Sequence, residues 1–99
     1  MLVHTVYFYF KESVSEEQIA ANIEGARELG KIETVKEMYV GTQADVTIRP
    51  VSVTGWKFSI TVLLANVPDH DIYQDHPIHL DYIAKYKDLW EKVTVFDAD

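Results

Sequence analysis

The chain has 99 residues, of which 47% are hydrophobic and 25% charged, and its formal net charge is −7. This length suits a single domain, residues 1–99, with one modest core. The acidic excess repels phosphate backbones and anionic lipid surfaces, so neither nucleic acid nor a membrane is expected as a partner. Cysteine is absent, which excludes disulfides and thiolate nucleophiles. Because there is no signal-peptide pattern and no long apolar run, we expect a cytoplasmic protein.

The first segment, Leu2–Phe10, is rich in β-branched and aromatic residues and predicts a strand. Alternation of side chains along the strand predicts that one face carries Leu2, His4, Val6, Phe8 and Phe10. The opposite face carries Val3, Thr5, Tyr7 and Tyr9. Both faces are therefore largely apolar or aromatic, and one layer of helices can cover only one of them.

A helix is predicted next, because Ser15–Gln18 fits a capping box, with an alternative box that begins at Ser13. The apolar positions at helical spacing, which should face the sheet, are Ile19, Ile23 and Ala26. Gly30 is placed to end this helix.

The second half predicts two more strands, Val35–Gly41 and Trp56–Leu64, joined by a long connection at residues 42–54. In the third strand, alternation puts Trp56 on the same face as Phe58. Pro68 and Pro77 each permit a helix start, so two helical pieces should meet at His76-Pro77. Helical spacing continues from Leu80 to Trp90, and Val93–Phe96 closes the chain as a short strand.

This order of elements predicts an α+β fold, the ferredoxin-like βαββαβ arrangement with a four-stranded antiparallel sheet and its helices on one face. The other sheet face would expose Thr5, Tyr7 and Tyr9. An aromatic patch of this kind usually marks an interface. We therefore expect a homodimer that pairs through the open sheet face.

Four segments resemble the stress-responsive α/β-barrel family, also called dimeric α/β-barrel or Dabb proteins. They are VHTVYFYFK, VSEEQI, YQDHPIHLDYI and LWEKVTVFD, and they span essentially the whole chain. The HPxH element, His76 to His79, is the most specific of them. The resemblance implies a ferredoxin-like protomer that pairs through its sheet into a dimeric α/β barrel, with a pocket between the sheet and the helices.

The resemblance also implies which residues face that pocket. In one enzyme branch, the plant polyketide cyclases typified by olivetolic acid cyclase, a linear polyketide closes by aldol condensation without a cofactor. The tyrosine and the second HPxH histidine that act together there correspond to Tyr73 and His79, and the strand-one histidine corresponds to His4. A pocket tyrosine of that branch is replaced by Ala26. The other residues expected to line or support the pocket are His76, Phe8 and Ile23.

An imidazole with a pKa near its usual value of about 6.5 can take a proton from an acidic carbon. His79 would be this base, while Tyr73 would donate to the developing oxyanion. The structural alternative is that His76 and His79 cap or brace the junction at Pro77, which lacks a backbone donor. The corresponding alternatives are a packed ring with its hydroxyl in water for Tyr73, and a hydrogen-bonded core residue for His4.

A metal site would need His76 and His79 on one helical face, which their spacing allows. Two ligands are too few for zinc, and Asp75, Asp81 and His70 are near them only in sequence. We therefore assign no metal and no cofactor.

Two classes of function remain open from the sequence. The first is a cofactor-free enzyme whose pocket binds or transforms a small apolar carbonyl compound by cyclase-like or lyase-like proton transfer. The second is a non-catalytic homodimeric binding or structural module of a stress response. A cofactor-independent monooxygenase is a third, by analogy of fold alone.

Overall fold

The computed structural model describes the whole chain, residues 1–99. Its elements are β1 (Leu2–Phe10), α1 (Glu16–Arg27), β2 (Val35–Gly41), β3 (Phe58–Leu64), α2 (Val67–Asp75), α3 (Pro77–Tyr86) and β4 (Trp90–Ala98). Short 3-10 turns, Glu28–Lys31 and Lys87–Leu89, follow α1 and α3. The strands form one antiparallel sheet in the order β2-β3-β1-β4. The predicted ferredoxin-like βαββαβ fold is confirmed.

The two central strands, β1 and β3, supply much of the core. Along both, every second residue is buried and the residues between are half-buried. The buried face of β1 consists of Leu2, His4, Val6, Phe8 and Phe10, as the alternation predicted. The rings of Phe8 and Phe58 stack in parallel with centroids 4.3 Å apart. Burying such a side chain contributes about 1.5–3 kcal/mol, so this face holds the sheet against the helices.

The predicted capping box at the start of α1 is confirmed. The Gln18 backbone N–H donates to Ser15 Oγ at 3.1 Å, and the Ser15 backbone N–H donates to Gln18 Oε1 at 2.8 Å. The expectation that Gly30 ends the helix was wrong, because α1 ends at Arg27 and Gly30 lies inside the following 3-10 turn. That tighter turn brings Leu29 into the core without a left-handed glycine.

The third strand starts at Phe58, two positions later than predicted. Gly55 has φ +95°, a conformation that favours glycine, and this backbone conformation interrupts the alternation just before the strand. The indole N–H of Trp56 donates to the Val53 carbonyl at 3.0 Å. The Trp56 ring meets Tyr7 edge-on at 5.0 Å, on the sheet face opposite Phe58. The prediction that Trp56 shares the face of Phe58 was therefore wrong.

The fourth strand is longer than predicted, since Trp90–Ala98 pairs with β1 almost along its full length. The helix does not extend to Trp90 as the spacing predicted, because α3 ends at Tyr86 and Trp90 pairs with Phe10 of β1, beyond a register shift that leaves Glu91 of β4 unpaired. The predicted long connection is confirmed, since the chain between β2 and β3 forms neither helix nor strand.

The sheet face away from the helices is open, as predicted. A shallow groove of about 480 Å³ lies on it. Its lining residues are Thr5, Tyr7, Val53, Trp56, Thr94 and Phe96. No helix of the chain combines the length and apolar character that a membrane span requires.

Candidate functional site

A cavity of about 200 Å³ lies between the helix-facing side of the sheet and helices α2 and α3. Ten of its 13 lining residues are hydrophobic, so it suits a mainly apolar ligand. Its polar lining side chains include His4, Tyr73 and His79. The structure thus brings together the three residues predicted as catalytic, one from each of β1, α2 and α3.

Tyr73 is fully buried near the end of α2, and its hydroxyl has no hydrogen-bond partner in the protein. The alternative in which this hydroxyl reaches water was therefore wrong. Burial raises the pKa of the Tyr73 phenol far above its usual value of 10.0, so the group keeps its proton. Leaving such a group unpaired costs about 1–3 kcal/mol. A buried O–H donor is thus free to bond an oxygen in the cavity.

His79 lies in the first turn of α3, with Nδ1 2.9 Å from the Gln74 backbone oxygen. Since a carbonyl only accepts, Nδ1 carries the proton, and Nε2 of the neutral ring keeps its lone pair. Burial lowers the pKa of His79 below 6.5, although the Gln74 carbonyl opposes that shift. The ring centroids of Tyr73 and His79 are 4.8 Å apart. A neutral base therefore stands beside the unpaired phenol.

His4 is almost completely buried on β1, and its Nδ1 lies 2.5 Å from Asp97 Oδ1. The two residues face each other because His4 pairs with Asp97 in the β1–β4 register. The His4 ring also meets Tyr73 edge-on at 5.6 Å. Sequence reasoning assigned Asp97 no role. Its alternation with Val93 and Val95 on β4 was the signal that could have placed it on the cavity side.

The residues predicted to line or support the pocket divide into two groups. Phe8 lines the cavity. Ala26 and Ile23 pack in or against the core from α1 and do not line the cavity.

His76 likewise lies outside the cavity, at the junction of α2 and α3. Its Nδ1 accepts the Ile78 backbone N–H at 3.1 Å and caps α3, while Nε2 lies 3.2 Å from Glu33 Oε2. The capping interpretation is confirmed for His76. This cap supports the site only indirectly, by fixing the helix start that carries His79.

A hydrogen-bonded cluster missed by the sequence reasoning fixes the helices behind the cavity. Asn22 of α1 is fully buried, and its amide N donates to the Tyr82 hydroxyl at 2.5 Å. The Trp90 indole N–H donates to Asn22 Oδ1 at 2.7 Å. Because one amide joins α1, α3 and β4, the rings of Tyr82 and Trp90 form a fixed wall of the cavity.

The metal-ligating side chains gather elsewhere than the histidine spacing indicated. His76 and His79 use their Nδ1 atoms for separate bonds within the backbone junction and share no site. The potential ligand atoms of His4, His70 and Asp97 instead all lie within 4.8 Å of one another.

Comparison with known proteins places this geometry in context. The family model described as the stress responsive A/B barrel domain matches residues 2–99. An Arabidopsis thaliana protein structure is 26% identical with a TM-score of 0.84, over 100% of this chain and 94% of that one. The hydroxynitrile lyase from Passiflora edulis is 23% identical with a TM-score of 0.80, over 98% and 90%. A dimeric ferredoxin-like protein of unknown function from Thermobifida fusca is 18% identical with a TM-score of 0.81, over 98% and 88%. No curated protein sequence matches the chain.

Proposed function

Since the chain belongs to the stress-responsive A/B barrel domain family, we propose that its cavity binds a small apolar carbonyl compound and transfers protons on it without a cofactor. The observation that carries this proposal is the buried, unpaired Tyr73 hydroxyl beside the neutral ring of His79. The two groups are the acid and base that enolisation needs, held together in an apolar enclosure.

In the proposed step, His79 Nε2 removes a proton from the carbon next to the carbonyl. The electron pair of that C–H bond forms the enolate double bond, and the carbonyl π pair moves to oxygen. The Tyr73 O–H donates to this oxygen, where negative charge develops. The enolate carbon is then reprotonated by the His79 imidazolium, or it attacks a second carbonyl in aldol closure. In the second case the π pair of that carbonyl moves to its oxygen, and the resulting alkoxide takes the proton from the His79 imidazolium. Each outcome returns His79 to its neutral state.

The size of the cavity limits the substrate. Its volume of about 200 Å³ is below the roughly 300–1,000 Å³ of pockets for drug-sized ligands. The apolar walls favour a compact ketone or 1,3-dicarbonyl compound over a charged metabolite, because the lining offers a charged ligand few partners. A lyase among the structural neighbours is compatible with chemistry of this kind.

The test is exchange of carbon-bound hydrogen for deuterium in D₂O, followed by NMR on small methyl ketones and 1,3-dicarbonyl compounds. The wild-type protein should accelerate exchange next to the carbonyl. His79→Asn and Tyr73→Phe should each reduce this acceleration by about 10²-fold or more. Tyr73→Phe removes only an unpaired buried hydroxyl, so its unfolding free energy should be unchanged or slightly higher.

Tyr86→Phe is the matched control, because the Tyr86 hydroxyl donates to the Ala21 carbonyl at 3.2 Å, away from the cavity. It should exchange at the wild-type rate. Equal exchange in all variants would contradict the catalytic proposal. Native mass spectrometry that finds a bound organic molecule without exchange activity would instead favour the non-catalytic binding module.

The open sheet face supports a homodimer under either function. Tyr7, Trp56 and Phe96 form an aromatic patch that no helix covers, and Phe96 is 64% exposed. Pairing two such faces about a twofold axis would bury it. Structural neighbours described as dimeric are consistent with this arrangement.

A further inference from the structure

A group of possible metal ligands lies at the edge of the cavity, contributed by three elements. His4 comes from β1, His70 from α2 and Asp97 from β4. The two carboxylate oxygens of Asp97 point to different rings, since Oδ1 is 2.5 Å from His4 Nδ1 and Oδ2 is 3.8 Å from His70 Nε2. The His4 and His70 rings meet edge-on at 5.2 Å. Two neighbouring strands and a helix thus place the imidazoles of His4 and His70 beside the carboxylate of Asp97.

The contacts of His70 leave its Nε2 available to a cation. Its Nδ1 lies 3.1 Å from Asp71 Oδ1, and because a carboxylate only accepts, Nδ1 carries the proton. Nε2, on the other side of the ring, lies 3.8 Å from Asp97 Oδ2, which is too long for a hydrogen bond. The amide N of Gln74, at 3.5 Å, is at most a weak donor to Nε2.

The dimensions fit an ion bound between these groups. Zinc bonds histidine nitrogen and carboxylate oxygen at about 2.0–2.2 Å, so tetrahedral geometry separates its ligand atoms by about 3.3–3.5 Å. The separation of 3.8 Å between His70 Nε2 and Asp97 Oδ2 is close to this range. The contact between His4 and Asp97 would lengthen by about 1 Å as the ion replaces the shared proton.

We propose that His4, His70 and Asp97 bind one divalent transition-metal ion, best matched by Zn²⁺, with Asp71 as the outer partner that orients His70. Two histidines and a carboxylate form a facial set that leaves a coordination position open. Ions can reach it because the Asp97 side chain is 40% exposed. The nitrogen ligands disfavour Mg²⁺ and Ca²⁺, which prefer oxygen. Asp71, bonded to Nδ1 on the far side of the ring, would hold His70 in the orientation that presents Nε2 to the ion.

The test is calorimetric titration of chelator-treated full-length protein with ZnCl₂ at neutral pH, with thermal melting of the same samples. The wild-type protein should bind one ion per chain and melt at a higher temperature when saturated. His70→Asn should lose this saturable binding. Asp71→Asn should retain the one-to-one ratio with about 10–100-fold weaker affinity. MgCl₂ should give neither signal.

His76→Asn is the matched control, because it removes an imidazole that lies outside the cavity, while asparagine preserves the helix cap. It should bind zinc as the wild type does. Equal zinc binding in wild type and His70→Asn would overturn the site, as would loss of binding in His76→Asn. Asp71 is 68% exposed, so Asp71→Asn folds and decides the question even where His70→Asn does not.

The metal proposal stands apart from the proton-transfer proposal. Its readouts are ion stoichiometry and melting temperature, and neither needs a substrate or turnover. Exchange chemistry without zinc binding would leave the enzymatic proposal standing alone. Zinc binding without exchange chemistry would leave the metal site standing alone.

Discussion

The two faces of the sheet differ in the burial and hydrogen bonding of their polar and aromatic side chains. On the helix-facing side, His4 is paired with Asp97 and Asn22 joins Tyr82 to Trp90, while the Tyr73 hydroxyl has no partner. The open side carries aromatic residues that reach solvent. The unpaired hydroxyl of Tyr73 lies in the proposed ligand site on one face, and the exposed aromatic residues form the proposed dimer interface on the other.

The largest expected difference between the faces is in stability. Phe58→Ala removes a fully buried ring that stacks on Phe8, and should lower the free energy of unfolding by about 3–5 kcal/mol. Urea unfolding at several protein concentrations measures this loss, which should not depend on concentration. Phe96→Ala is the same truncation on the open face. Its effect should be small at high dilution, where surface changes stay within about 0.5 kcal/mol. Equal losses in both variants would contradict the assignment of the faces.

A smaller effect should appear in assembly. Phe96→Lys places a charge in the centre of the proposed dimer interface, and truncating such an anchor commonly costs about 2 kcal/mol or more. The dimer dissociation constant should therefore rise at least about 30-fold. Sedimentation equilibrium measures this dissociation constant for the wild type and for Phe96→Lys. Glu91→Lys is a charge-changing control on the exposed start of β4, and it should associate as the wild type does. A wild-type protein that stays monomeric at all concentrations would contradict the proposed dimer interface.

Much of the fold was predictable because local rules agree with one another. Alternation in β1, the capping box at Ser15 and the restart at Pro77 each follow from contacts within a few residues. The errors came where a tertiary contact decided the outcome. Trp56 turns to the open face through the left-handed Gly55, and Trp90 joins a strand because β1 offers it a partner.

The candidate site was predictable in its residues and not in its bonds. The resemblance to the family supplied Tyr73, His79 and His4, which line one cavity. The partner of His4 depends on the β1–β4 register, and the partner of His79 is a backbone carbonyl of Gln74. Neither strand register nor carbonyl direction is encoded in residue spacing. The tautomers, and with them the chemistry, therefore required the structure.

The smallest expected effect is a pH dependence of the unfolding free energy that comes from His79 on the helix-facing side. The pKa of His79 is lowered mainly by burial, and further by His4 and His70, against opposing effects of the Gln74 carbonyl and Asp75. Below pH about 6.5, His79 binds a proton in the unfolded chain more readily than in the folded protein. The contribution of His79 to stability is therefore complete above that pH and is lost as pH falls.

Urea unfolding of the wild type and His79→Asn across this range isolates that contribution. The difference in unfolding free energy, wild type minus variant, should be constant above pH about 6.5 and should decrease below it. A difference that increases on acidification would mean that the folded protein stabilises the charged ring. The pKa of His79 would then be raised and not lowered, which would contradict the neutral base on which the proposed exchange activity depends. If the difference decreases as expected, exchange should fall over the same pH range, because both depend on the lone pair of Nε2.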